Sequence, residues 1–208
     1  MDFLNPNAKQ MANNVPRVCG ATTTGGLLQN SPIVCGANFS RDCVVIGKPE
    51  FGMKMIEKRR GAANVALDQS TLWIVGGRDE HFNDLRSTEF IKLGQPSVKG
   101  RDLPFTISCH SMIQYNEKSI YIIGGDQNGF LSNKTWIADP TNQFRITEGP
   151  SLNKARSSHG CAEMTLNGRT ILVVAGGFDG GHLDSVEILD PSGKNVWTPG
   201  IFLKFITV

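Results

Sequence analysis

A short apolar run that ends in two glycines recurs along the chain and constrains its fold more than any other sequence feature. Copies occupy residues 72–77, 120–125 and 171–177, and a weaker copy at residues 33–37 has Ala37 in place of the second glycine. The first glycines of the four copies lie 40, 48 and 52 residues apart. A spacing of this size is typical of proteins built from structural repeats.

The composition of each run predicts a buried β-strand. Four to six β-branched, aliphatic or aromatic residues are too few for a core helix, and a strand without polar alternation needs cover on both faces. Paired glycines at its end allow positive φ angles and let another backbone approach closely. One copy cannot bury itself, whereas stacked copies can, so the repeats are expected to pack against one another.

The rest of each repeat has the same order of elements. A strand of small residues and a tight turn precede the buried second strand, and a polar loop, a third strand and a fourth strand follow it. Glu89 and Glu187 occupy one position of the third strand, which suggests a structural hydrogen bond, and Trp197 lies near a fourth strand. The units span about residues 20–57, 58–104, 105–152 and 153–200.

This ordered set resembles the kelch repeat over about residues 20–200, and most clearly at residues 156–197. The resemblance implies an all-β fold, a kelch-type β-propeller in which each unit is a four-stranded blade. The pattern has gaps, because the second and third units lack a clear fourth-strand tryptophan and the third lacks an arginine ahead of its first strand. Structural roles are expected for the repeated positions, namely Gly36, Gly76, Gly77, Gly124, Gly125, Gly176, Gly177, Glu89, Glu187 and Trp197.

The number of repeats predicts an incomplete propeller. The chain supplies three full four-stranded blades and most of a fourth, whereas propellers of this family usually close with about six. We therefore expect a partial chain whose missing blades are supplied by a longer protein. Residues 1–19 are interpreted as a leader or the end of a preceding blade, and residues 201–208 form an apolar tail that fits no repeat position.

Charge and hydropathy argue against nucleic acid and membranes as partners. The net charge is +2, and no run of like charge is longer than residues 58–60, so nucleic acid is not an expected partner. No apolar stretch has the length of a membrane span, and the first residues do not form a secretory signal, so no membrane partner is expected either. These features favour the cytoplasm.

The cysteines leave two interpretations open. Five are present, without the paired spacing of a zinc site. They are either buried thiols of a cytoplasmic protein or include a Cys35–Cys43 disulfide between neighbouring strands, which requires an oxidising compartment. In the second case the protein is extracellular, and the glycosylation sequons at Asn38 and Asn133 become relevant.

The sequence offers little for catalysis, and no metal or cofactor is expected. Ser157, His159 and Asp179 can be combined into a triad on paper, but no nucleophile-elbow motif accompanies them. Some kelch-like propellers are copper oxidases, yet Tyr115 and Tyr121 both lie in predicted strands. We therefore interpret the chain as a protein that is not an enzyme, with a metal oxidase as a distant alternative.

The polar loops are the candidate binding surface. Propeller architecture brings the loop after each Gly-Gly pair and the connection into each first strand to one face, and these loops differ between blades while the strands do not. Loops on a rigid scaffold commonly carry recognition, and arginine near aromatic residues suits acidic peptides. The predicted partner-binding residues are Arg60, Arg78, Asp79, His81, Asp126, Gln127, Asn128, Arg156, Phe178, Asp179 and His182.

These observations lead to one main functional hypothesis. The chain is expected to be a non-catalytic module that recognises a partner protein through this face. The kelch resemblance adds a possible role as a substrate adaptor of a ubiquitin ligase, although no adaptor domain is visible in the sequence. The alternative is a secreted kelch protein with a disulfide and glycosylated loops.

Overall fold

Each sequence repeat folds into one antiparallel sheet of four strands. The computed structural model describes residues 24–29, 31–36, 39–166 and 168–200. Within these ranges the chain is all-β, and the helical elements are two three-residue 3₁₀ turns, Pro49–Phe51 and Pro140–Asn142. Across the same ranges, no helix has the length and hydropathy needed to cross a bilayer.

The strands follow the chain order within every blade, so each pairs with its sequence neighbour. The first blade contains β1 (Thr24–Leu28), β2 (Ser31–Cys35), β3 (Asp42–Val45) and β4 (Met53–Lys54). The second blade contains β5 (Ala63–Ala66), β6 (Thr71–Val75), β7 (Thr88–Lys92) and β8 (Val98–Lys99).

The third and fourth blades have the same strand order. The third unit also contains a small additional sheet. This added sheet contains β9 (Ile107–Ser108), β12 (Asp126–Gln127) and β13 (Phe130–Leu131). The third blade contains β10 (Ser111–Asn116), β11 (Ser119–Ile123), β14 (Thr135–Asp139) and β15 (Arg145–Glu148). The fourth blade contains β16 (Gly160–Leu166), β17 (Arg169–Ala175), β18 (Val186–Leu189) and β19 (Thr198–Pro199).

The all-β fold and the blade arrangement agree with the sequence prediction. The second strands match the predicted buried runs, because their apolar side chains fix the register, and β6 contains the whole apolar run that precedes Gly76. Outer strands are short: β4 and β8 each contain two residues, and both residues of β8 are exposed. The first unit also supplies four strands. The predicted leader at residues 1–19 and the tail at residues 201–208 lie outside the described residues.

The hydrophobic core lies between blades. One cluster joins Ile33 of the first blade to Ile74 of the second, and another joins Val75 to Ile122 of the third. A further cluster joins the third blade to the fourth and includes Trp197, which is buried. The first strands of neighbouring blades also lie against each other, β1 with β5, β5 with β10 and β10 with β16. Each blade therefore depends on its neighbour for burial.

The glycine pairs form the joint between consecutive blades. The Gly77 N–H donates to Ile107 O of the third blade, and the Gly125 N–H donates to Arg156 O of the fourth, both at 2.8 Å. The glycine ahead of each donor, such as Gly124, has a positive φ. A Cβ on Gly124 would lie 2.6 Å from Arg156 O, closer than atoms in contact allow. Glycine is thus needed both for the backbone angle and for the close approach.

A disulfide crosses the first blade. Cys35 of β2 and Cys43 of β3 are directly paired in the sheet, with Cα atoms 4.0 Å apart, and their sulfurs are bonded. Cys109 is disulfide-bonded as well, and Cys161 is a half-buried cysteine outside the disulfides. Of the two interpretations that the sequence left open, the structure thus contains the Cys35–Cys43 bridge.

Gly124 and Gly176 provide a matched test of the blade joint. Both have a positive φ, +59° and +66°, so alanine strains the backbone similarly at either position. A Cβ on Gly176 meets nothing closer than Leu183 O at 3.5 Å, whereas one on Gly124 collides with the next blade. We expect Gly124→Ala to destabilise the protein by about 1–3 kcal/mol more than Gly176→Ala, as measured by urea denaturation. Equal losses would contradict the proposed joint.

Candidate functional site

One face of the blades collects the loops that the sequence identified. The loop after each glycine pair runs beside the connection that enters the first strand of the same blade. Backbone hydrogen bonds join Arg60 to Arg78 in both directions, at 3.0 and 2.7 Å, and join Ser157 to Phe178 at 3.0 and 2.9 Å. We call this surface the loop face, and it comprises the connections 57–62, 106–110 and 154–159 and the loops 78–87, 126–134 and 178–185.

Two arginines beneath the loop face are buried and equivalent. Arg59 Nη1 donates to Gly76 O at 2.7 Å and to Ser87 O at 3.1 Å. Arg156 Nη1 donates to Gly176 O at 2.8 Å and to Ser185 O at 3.1 Å. The Arg156 side chain is 0% exposed. The expectation that Arg156 contacts a partner is therefore wrong, because its guanidinium is enclosed by its own blade.

The repeated glutamates complete this buried contact. Glu89 pairs with Arg59 at 2.9 Å and accepts the Ile56 N–H at 2.7 Å. Glu187 pairs with Arg156 at 2.8 Å and accepts the Asn153 N–H at 2.7 Å. Each carboxylate thus joins the third strand to the connection that arrives from the preceding blade. Each buried charge therefore faces an opposite charge and backbone donors, while the Nε of each arginine has no hydrogen-bond partner among the described residues.

The third blade replaces this ion pair with apolar side chains. Ile107 stands where the other blades have arginine, and Trp136 stands where they have glutamate, since Trp136 faces Ile122 in the sheet as Glu89 faces Ile74. The Trp136 ring stacks on Phe105 with centroids 4.6 Å apart. This substitution explains why the third repeat lacks an arginine ahead of its first strand.

Gln127 is part of the same replacement of the buried ion pair in the third blade. Its side-chain oxygen accepts the Trp136 Nε1–H at 3.2 Å, and its amide donates to Gly124 O at 3.4 Å. Gln127 is buried. The prediction that it contacts a partner is wrong for the same reason as for Arg156: its polar groups are used inside the blade.

Arg78 connects the loops of two blades. Its Nε donates to Asp84 at 2.8 Å, and its Nη2 donates to Asp126 at 3.0 Å. Burial raises the pKa of Asp126, and the neighbouring Arg78 charge opposes that rise. The Arg78 side chain is 28% exposed. Arg78 and Asp126 therefore lie on the loop face as predicted, but they bind each other.

Asp79 and Asn128 shape their own loops. Asp79 Oδ1 accepts the backbone N–H groups of His81 and Asn83, at 2.8 and 2.9 Å. The hydrogen bond from the Asn83 side chain lowers the pKa of Asp79, so the carboxylate stays charged in this turn. Asn128 Oδ1 accepts the Thr106 N–H at 3.1 Å. The side chains of Asp79 and Asn128 therefore hold the conformation of their loops.

Phenylalanines are the most exposed large apolar residues of the loop face. Phe82 is 59%, Phe130 is 77% and Phe178 is 44% exposed, each in the loop of a different blade. The Phe178 ring meets His182 edge-on, with centroids 6.0 Å apart. Phe82 is absent from the residues predicted from the sequence, although a single aromatic residue within a polar loop was a signal for it. The remaining predicted residues that the structure leaves exposed are His81, Asp179 and His182.

Phe82 already has an intramolecular partner. The Arg60 guanidinium carbon lies 4.3 Å from the Phe82 ring centre and 5.1 Å from that of Phe39. The two rings meet edge-on at 6.1 Å. Arg60 therefore lies half-buried on the loop face, where cation–π contacts hold its side chain.

The candidate triad does not assemble. His159 Nε2 hydrogen-bonds to Ser111 of the third blade at 2.7 Å, and Ser157 is buried in the connection of the fourth. Burial, together with the Arg156 charge, lowers the pKa of His159 to about 3, so the ring is neutral. His159 thus packs between blades. Within the described part of the chain, no three His, Cys, Asp or Glu side chains are grouped as metal ligands would be.

His159 predicts a loss of stability in acid. Its folded-state pKa of about 3 lies below the ordinary value of 6.5, so below pH 6.5 the unfolded chain takes up a proton that the folded protein does not. The stability that neutral His159 confers is complete above pH 6.5 and falls by about 1.4 kcal/mol per pH unit below it. His159→Gln removes this titration. Urea denaturation should show the wild-type advantage shrinking by about 2 kcal/mol from pH 7.5 to 5, and a constant difference would contradict the assignment.

Comparisons with known proteins agree with this architecture. Residues 167–200, which span most of the fourth blade, match the Kelch motif. The solved structure of YjhT superimposes with a TM-score of 0.66 over 91% of this chain and 67% of the YjhT chain, at 14% sequence identity. No curated protein matches the sequence. The matched motif, the four repeated blades and the shared fold together show a bladed, propeller-type fold that carries a Kelch motif in its fourth blade.

Proposed function

We propose that this protein is a non-catalytic binding module that recognises a partner protein through the loop face. The observation that carries the proposal is the exposure of Phe82, Phe130 and Phe178 on loops of three successive blades. Exposed apolar residues on one surface commonly mark an interaction site, and aromatic residues are enriched where partners bind.

The division between scaffold and loops supports this proposal. Strands and connections use their polar groups internally, as the Arg59–Glu89 and Arg156–Glu187 pairs show. The loops are held by their own hydrogen bonds and by the Arg78–Asp126 ion pair, so exposed rings between them are presented on a fixed backbone. Such preorganisation reduces the entropy lost on binding.

A role as a substrate adaptor of a ubiquitin ligase is the finer form of this proposal. It rests on the kelch resemblance, since propellers of this family often present substrates to such ligases. In that role the protein acts in the cytoplasm, as part of a longer chain that supplies further blades and adaptor domains.

The proposal is tested by removing the exposed rings. A Phe130→Ser, Phe178→Ser double variant should keep the wild-type melting temperature, because exposed substitutions usually cost under about 0.5 kcal/mol each. It should lose partner proteins that the wild type recovers in a quantitative pull-down. Val98→Ser, an exposed substitution in the outer strand β8, is the control. Equal recovery of every partner by the double variant and the control would exclude the loop face.

A secreted kelch protein is the second candidate. The Cys35–Cys43 bond and the disulfide at Cys109 support it, because disulfides persist in oxidising compartments. Glycosylation at Asn133 has less support: its side-chain amide donates to Leu152 O at 3.0 Å, and Thr135 of the same sequon is buried. The asparagine of the other sequon, Asn38, lies outside the described residues.

Peptide mapping separates the two compartments. Protein from its native source, alkylated before digestion without reductant, should yield one peptide pair joined through Cys35 and Cys43 if the protein is extracellular. Cys161 should be alkylated in the same sample, which serves as the control for reagent access after denaturation. Alkylation of both Cys35 and Cys43 would contradict the secreted alternative and support a cytoplasmic protein.

A further inference from the structure

The disulfide at Cys109 has a partner that can be identified by elimination. The chain contains five cysteines. Cys35 and Cys43 are bonded to each other, and Cys161 lies outside the disulfides. Cys109 is itself disulfide-bonded, and the structure contains one chain, so its partner is a cysteine of the same molecule. The cysteine that remains is Cys19, which lies outside the described residues.

Cys109 lies at the inner end of the loop face. It belongs to the connection 106–110 and precedes β10, the first strand of the third blade. Its N–H donates to Gly61 O of the second blade at 2.8 Å, and its carbonyl accepts the Ser158 N–H of the fourth at 2.9 Å. Because the first strands of neighbouring blades lie against each other, the connections that enter these strands meet at the inner side of the blades.

A bond between Cys19 and Cys109 joins the first blade to the third and bypasses the second. Cys19 lies five positions ahead of Thr24, where the first strand of the first blade begins. Bonded cysteines have Cα atoms about 4.4–6.8 Å apart, so the bond requires residue 19 to lie beside the connection 106–110. The outer strand of a blade is separated from the first strand by two others, so it lies too far out for this contact.

We propose that a Cys19–Cys109 disulfide fastens the segment ahead of the first blade to the inner end of the loop face. The inference goes beyond the proposed function, because it assigns a covalent contact within the protein. The two thiols lose two protons and two electrons as the sulfur–sulfur bond forms. Oxidised glutathione takes up both as it becomes two thiols. Of the two interpretations of residues 1–19, the bond favours a leader over the end of a preceding blade.

Disulfide mapping of the whole chain, purified in a mixture of reduced and oxidised glutathione, tests the bond. Trypsin alone leaves Cys19 and Cys35 on one peptide, because no lysine or arginine lies between them. Chymotrypsin is therefore added, since it cleaves after the leucines at positions 27 and 28 and separates the two cysteines. We expect a peptide that contains Cys19 joined to one that contains Cys109, with Cys161 alkylated.

Cys19→Ser is the matched variant for this map. Cys109 should then be alkylated as a thiol, whereas Cys35 and Cys43 should stay joined. Alkylation follows denaturation, so the variant reports on the bond even if its folding is impaired. No partner protein is used, so the result does not depend on the proposed function.

A chain cut between the blades gives an independent test of the same bond. Gly94 and Gln95 are exposed in the turn after β7, and a protease site inserted between them divides the chain ahead of Cys109. The bond then links the two halves. On denaturing gels without reductant, the cleaved wild type should migrate as one species and cleaved Cys19→Ser as two.

The opposite results would overturn the proposal. These are a peptide in which Cys109 is joined to a cysteine other than Cys19, alkylation of Cys109 in the oxidised wild-type protein, or halves of the cleaved wild type that separate without reductant.

Discussion

The backbone contact between one blade and the next is the constraint on which the rest of the structure depends. Gly77 and Gly125 each donate a hydrogen bond to a carbonyl of the following blade, and the glycine before each is too close to that blade for a side chain. Since the core lies between blades, this contact fixes how apolar faces meet. It also places consecutive loops side by side, which creates the loop face.

The polar contacts beneath the loop face can vary while the backbone joint stays the same. Two blades use a buried arginine–glutamate pair, and the third uses Ile107 and Trp136 in the same places. Exchange of a buried ion pair for packed apolar groups is often close to neutral in free energy, whereas removal of one partner is costly. The replacement of both members in the third blade follows this rule, and Gln127 satisfies the ring N–H that the tryptophan introduces.

Repeated apolar positions allowed the fold to be predicted from the sequence, whereas the site could be predicted only in part. The second strands are fixed by burial, so β6 contains the whole apolar run that precedes Gly76. Arg60 and Arg156 looked alike as loop arginines, but Arg60 is half-buried over two aromatic rings and Arg156 is enclosed. Arg156 is enclosed because it pairs with Glu187, which lies 31 residues further along the chain. Gln127 was misassigned for the same reason, since its partner Trp136 comes from β14. Local sequence does not reveal these partners.

Amide hydrogen exchange followed by NMR tests the blade joint most directly. The Gly77 and Gly125 amides should exchange only when the protein unfolds, because each donates to the neighbouring blade. Exposed loop glycines with positive φ and open surroundings, such as Gly129 and Gly180, should exchange rapidly and serve as internal references. If Gly77 and Gly125 exchanged as fast as Gly129, the blades would not be joined through these glycines. The joint could then not be what places consecutive loops side by side on the loop face.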